Sequence, residues 1–82
     1  MTKILVVDDE AEIRSLLGAI LQSHGYEAVT AEDGAAALQQ VQRERPDVIL
    51  LDLSMPRMTG LAALPELKRV DPEVPVIICT AH

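Results

Sequence analysis

Asp8 and Asp9 stand together directly after the apolar run Ile4-Leu5-Val6-Val7. Asp52 directly follows a second run, Val48-Ile49-Leu50-Leu51, and Thr80 a third, from Val74 to Cys79. Carboxylates brought close together repel, so such a group either keeps protons or takes up a cation. An all-oxygen donor set without Cys or His suits a hard divalent ion such as Mg²⁺. That ion usually takes one or two carboxylates, keeps waters and also holds a phosphate oxygen. One of the acids is then left to act as a nucleophile, and aspartyl phosphate is a known covalent intermediate. A hydroxyl at Thr80 can hydrogen-bond a phosphoryl oxygen. Each residue also has an ordinary reading. An Asp pair before a helix serves as a cap and dipole partner, an Asp after a strand starts a turn, and a Thr simply ends a strand.

The chemistry requires elements that bring these strand ends together. Unbroken apolar runs rich in β-branched residues fit strands buried on both faces. Between the first two runs lies a helical pattern from about Ala11 to His24, with Ile13, Leu16, Leu17, Ile20 and Leu21 at helical spacing. Gly25 reads as its stop. Tyr26 to Ala31 alternates weakly and reads as a half-exposed strand near a sheet edge. Asp33-Gly34 opens a second helix over Ala35 to Arg45, with a thin stripe of Ala37, Leu38 and Val41, and Pro46 closes it. A third helix runs from about Leu61 to Val70 after the loop Asp52 to Gly60. Pro65 falls inside this pattern, which restricts it to the first turn or to a kink. The order is βαβαβαβ, so the expected fold is α/β: a doubly wound parallel sheet with right-handed crossovers. Ligands of such sheets sit outside the carboxyl ends of the strands, where strand order reverses. If the first and third strands are neighbours, Asp8, Asp9 and Asp52 share one crevice, with Thr80 facing it.

Composition narrows the function classes. The 82 residues are 49% apolar and 24% charged, and have room for one domain, residues 1–82. Seven basic against thirteen acidic residues give a net charge of −6, which disfavours binding to phosphate backbones. Tyr26 is the one aromatic residue, so there is no stacking platform for single-stranded nucleic acid. This segment is expected to make no direct nucleic-acid contact. A single cysteine, Cys79, excludes an internal disulfide and a Cys-based zinc site. No apolar run approaches the ~20 residues of a membrane span. The start, Met1-Thr2-Lys3, lacks the apolar core of a secretory signal. A cytoplasmic protein with no membrane partner is the expectation.

Taken together, Asp8-Asp9, Asp52, Met55-Pro56, Gly60 and Thr80-Ala81 resemble the receiver domain of bacterial two-component response regulators, over Met1 to His82. The resemblance implies a flavodoxin-like sheet with strand order 2-1-3-4. It implies that Asp52 accepts a phosphoryl group from the phosphohistidine of a sensor histidine kinase. Mg²⁺ would be held by Asp9, Asp52 and the main-chain carbonyl of Ser54, with Asp8 acting directly or through water. Thr80 would be the switch hydroxyl. Such a module is a signalling part rather than an enzyme.

The sequence also departs from the family pattern. A receiver continues through a further helix, a fifth strand and a fifth helix, and a lysine after that strand pairs with the phosphoryl group. The 82 residues reach only the fourth strand, and neither Lys3 nor Lys68 matches that lysine. The expected fold is therefore the N-terminal part only, lacking the last helix-strand-helix. Its fourth strand would be an apolar edge. An apolar patch would lie open beside the first helix, favouring self-association through that strand. Two other classes stay in view. Haloacid-dehalogenase-type phosphatases place a second Asp two residues after the nucleophile, where this chain has Ser54. A flavodoxin-like cofactor site would have its phosphate repelled by Asp8-Asp9-Glu10. An interaction or domain-swapping module without phosphorylation is the third class.

Overall fold

The computed structural model describes residues 1–52 and 59–79, and the main chain alone at positions 52, 59–63 and 79. The elements follow in the order β1 (Lys3–Val7), α1 (Ala11–Ser23), β2 (Glu27–Ala31), α2 (Gly34–Glu44), β3 (Val48–Asp52), α3 (Thr59–Val70) and β4 (Val76–Cys79). All strand pairs are parallel, and the sheet order is β2-β1-β3-β4. The expected doubly wound α/β arrangement is therefore present. The Met55-Pro56 segment lies outside the described residues.

Side chains alternate across the sheet, so register assigns each to a face. Leu5, Val7, Ala31, Ile49 and Leu51 share one face and pack with Ala37 and Val41 of α2, Leu67 of α3 and Val74. Removing each of the larger ones from water contributes roughly 1.5–3 kcal/mol. Ile4 and Val6 are buried on the other face. There α1 lies over β2 and β1, with Gly18 buried and an added Cβ at that position 3.9 Å from the Ala28 Cβ. Leu50 and its register partner Ile77 share this second face, and Ile77 is 51% exposed. On α1, Leu16 is 56% exposed and Ile20 is exposed as well. On this face of the described sheet, apolar side chains of α1 and of the end strand β4 are exposed.

The helix ends follow local chemistry. At the end of α1, the Gly25 N–H donates to Gln22 O at 3.0 Å and the Tyr26 N–H to Leu21 O at 3.0 Å. This paired closure needs a left-handed residue, and Gly25 supplies it with φ 87°. The His24 ring Nδ1 lies 2.9 Å from Ile20 O, a main-chain role at a helix C-terminus. Asp33 caps α2, its Oδ1 accepting from the Ala36 N–H at 2.8 Å. Arg45 closes α2 in the left-handed region, φ 51°, just before Pro46.

The third helix ends at Val70 as expected and starts slightly before Leu61. It begins at Thr59, so Pro65 lies in its interior rather than its first turn. An interior proline removes one helical hydrogen bond and costs about 3 kcal/mol. Packing downstream offsets that cost: Leu67 is fully buried, and Val70 packs against the core. The Asp71 N–H donates to Leu67 O, and Lys68 Nζ donates to Val74 O at 2.6 Å, which ties the helix end to the approach of β4.

Candidate functional site

The pairing of β1 with β3 builds the site. Val7 is the register partner of Leu51, so Asp8 and Asp52, the next residues, lie side by side at the carboxyl ends of neighbouring strands. On the far side of β3, Asp52 is the register partner of Cys79, the residue before Thr80. This is also where the strand order reverses, with β1 leading out to β2 on one side and β3 to β4 on the other. The condition on which the shared crevice depended, that the first and third strands be neighbours, is met. The proposed ligands and switch at Ser54 and Thr80 lie outside the described residues, as does the Asp52 side chain.

Asp8 is 1% exposed and is held at several atoms. Its N–H donates to Ala31 O at 3.1 Å, which ties it to the end of β2. Its Oδ1 accepts from the Glu10 N–H at 2.8 Å, a turn closed by the side chain. Its main-chain oxygen accepts from Arg14 Nη1 at 2.7 Å. Glu10 is the N-cap residue of α1, and no side chain caps that helix. The ordinary reading of Asp8-Asp9 as a side-chain cap is therefore not what this helix start uses.

Asp8, Asp9 and Glu10 each offer a carboxylate oxygen, and the three lie within 4.8 Å of one another. Asp8 is buried, Asp9 half-buried and Glu10 exposed. Three hard oxygen donors at such spacing, with no sulfur or imidazole, fit a divalent cation of the Mg²⁺ type. Glu10 was not singled out as a possible ligand from sequence. Its signal was the unbroken acidic triplet, which a helix N-terminus explains equally well. The Arg14 contact has no sequence signal of its own, because it depends on how α1 leaves the loop.

A parallel sheet of this order, with acidic groups gathered where the order reverses, defines a flavodoxin-like α/β fold with a candidate site at the carboxyl ends of its strands. The chain belongs to the response regulator receiver domain family, whose profile matches residues 4–82. It is similar to the transcriptional regulatory protein GlrR of Escherichia coli, 46% identical over 79 residues, covering 96% of this chain and 18% of GlrR. It is also similar to sporulation initiation phosphotransferase F of Bacillus subtilis, 44% identical over 80 residues, covering 98% of this chain and 64% of that protein. Among solved structures, the response regulator TrrA of Thermotoga maritima, in complex with Mg²⁺ and BeF, superposes with a TM-score of 0.88. That match is 41% identical and covers 100% of this chain and 71% of TrrA. The chain thus spans about a fifth of a large regulator and about two thirds of the shorter relatives. No described helix is long and apolar enough to cross a membrane.

Proposed function

We propose that this chain is the phospho-acceptor part of a two-component relay, with Asp52 taking a phosphoryl group from the phosphohistidine of a sensor histidine kinase. The observation that carries this reading is the register of β1 on β3. It sets the Asp8-Asp9-Glu10 cluster beside the last residue of β3, Asp52. One Asp52 carboxylate oxygen attacks phosphorus. The P–N bond breaks, its electron pair stays on the imidazole nitrogen, which takes up a proton, and an acyl phosphate forms on Asp52. In this reading Asp9, Asp52 and the Ser54 carbonyl would hold Mg²⁺, with Asp8 acting directly or through water, and the ion would offset the charge of the carboxylates and the phosphoryl oxygens. Thr80 donates its hydroxyl to a phosphoryl oxygen. TrrA in its Mg²⁺ and BeF complex is a relative that supports the choice of ion. Residues 1–82 act as one receiver-like unit in the cytoplasm, without direct nucleic-acid contact.

Intact mass after incubation with Mg²⁺ and acetyl phosphate tests the proposal. The expected result is one phosphoryl adduct that needs Mg²⁺ and disappears in Asp52→Asn. An adduct that persists in Asp52→Asn, or no adduct with the fold intact, rejects it.

A second reading is favoured by the exposed Ile77 and Ile78 on β4, the last strand of the described sheet. We propose that this strand supports self-association, as apolar edges tend to do. Light scattering on the same Asp52→Asn chain reads it out: association through β4 survives that change, whereas the phosphodonor response does not.

A further inference from the structure

Arg14 sits at the start of α1, and among the described residues its guanidinium bonds main chain rather than a carboxylate. Its Nη1 donates to the Asp8 carbonyl oxygen at 2.7 Å, from a part-buried position. The Arg14 N–H is fixed too, donating to Glu10 O at 3.0 Å in the first turn. The guanidinium therefore spans from the helix back to the end of β1, across the segment that carries Asp8, Asp9 and Glu10. Among the described residues, two further tethers of this segment are the Asp8 N–H on Ala31 O and the Asp8 Oδ1 on the Glu10 N–H. Rotation of the main chain at residues 8 and 9 would swing both aspartates, and the Arg14 bond opposes that rotation directly at the peptide between them.

Two effects of opposite sign follow. A positive charge close to the cluster disfavours a divalent cation, although solvent screens this at a half-buried position. A loop held in place favours the cation, because the carboxylates need not be ordered when it binds. Screening does not weaken the second effect. We infer that Arg14 is a positioning residue for divalent-ion binding, acting through the Asp8 main-chain oxygen to hold Asp8 and Asp9 at ligating spacing. This rests on the reading of Asp8 and Asp9 as ion ligands given above.

The test is Mg²⁺ titration by calorimetry on the 82-residue chain, with melting of the metal-free form as a control for folding. Arg14→Met removes the charge and the donor but keeps the aliphatic stem. It is expected to weaken Mg²⁺ binding about tenfold, the lower end of what losing a ligand-supporting partner does. Arg14→Lys keeps the charge and one donor, and is expected to restore most of that loss at an unchanged metal-free melting temperature. If Arg14→Met does not fold, Arg14→Gln is read by the same criterion. A wild-type chain that binds while Arg14→Met binds equally well or more tightly overturns the role of Arg14 and leaves the ion site standing. A folded wild-type chain that binds no Mg²⁺ overturns both.

Discussion

The two ends of β1 handle charge in opposite ways. At the N-terminal end, Lys3 Nζ lies 3.0 Å from Glu44 Oε1 and 3.8 Å from Glu27 Oε2. It also donates to Glu44 O at 3.0 Å. The Lys3 main chain closes a double contact with Asp47: its N–H donates to Oδ2 at 2.8 Å, and its oxygen accepts from the Asp47 N–H at 2.8 Å. These contacts join β1 to β2, to the end of α2 and to the chain entering β3, with opposite charges paired at the Lys3 side chain. At the C-terminal end of the same strand, three carboxylates crowd within 4.8 Å. Like charges so close oppose folding unless a cation joins them. A fold keeps such an arrangement where chemistry needs it and offsets the cost elsewhere. One end of the strand pairs opposite charges, and the other gathers like charges where the proposed ion would sit.

Two aspartates near helix starts sharpen this comparison. Asp9→Asn is expected to lower Mg²⁺ affinity by more than about tenfold, since a ligand is lost outright. The same change is expected to raise metal-free stability by about 0.5 kcal/mol, because it relieves like-charge repulsion. Asp33→Ala is expected to do the reverse. Asp33 caps α2 through the Ala36 N–H, so its loss costs about 1 kcal/mol and leaves Mg²⁺ affinity unchanged. Calorimetric Mg²⁺ titration and denaturant unfolding of both variants read the two signs. The comparison breaks if Asp9→Asn destabilises the metal-free chain as a lost cap would.

Most of the fold was legible because the signals were local and redundant. The Val- and Ile-rich runs gave β1, β3 and the core of β4. The stop at Gly25 and the start at Asp33 carried their own hydrogen-bonding chemistry. The strand-end aspartates could be placed together once the first and third strands were taken as neighbours. What escaped was tertiary. Pro65 falls inside the helix expected from sequence, but local chemistry leaves its place in the first turn or at a kink open, and the helix runs through it from Thr59. Lys3 and Glu44 are far apart in sequence, and no periodicity links them. The reach of Arg14 to the Asp8 carbonyl depends on the angle at which α1 departs. Glu10 belongs to a pattern with two explanations, a helix start and an ion site, and its spacing from the aspartates is compatible with both.

The Lys3 end predicts a smaller effect with a defined pH signature. The hydrogen bond to Glu44 raises the Lys3 pKa above its ordinary value of 10.5. Desolvation partly opposes the rise, and the charges of Glu27, Glu44 and Asp47 add to it. A folded-state pKa above the unfolded one means that folding favours the protonated form. The resulting stabilisation is fully present below the unfolded value and is lost as pH rises through the folded one. Exposed ion pairs are individually weak, so the effect on melting temperature is expected to be small. The difference between wild type and Lys3→Met should hold steady from neutral pH to about pH 10 and shrink above it. Mg²⁺ affinity should not change, because Lys3 lies at the opposite end of β1 from the carboxylates. A difference that grows at alkaline pH would reject the sign, and a fall in Mg²⁺ affinity would show that the two ends of the strand are coupled rather than separate.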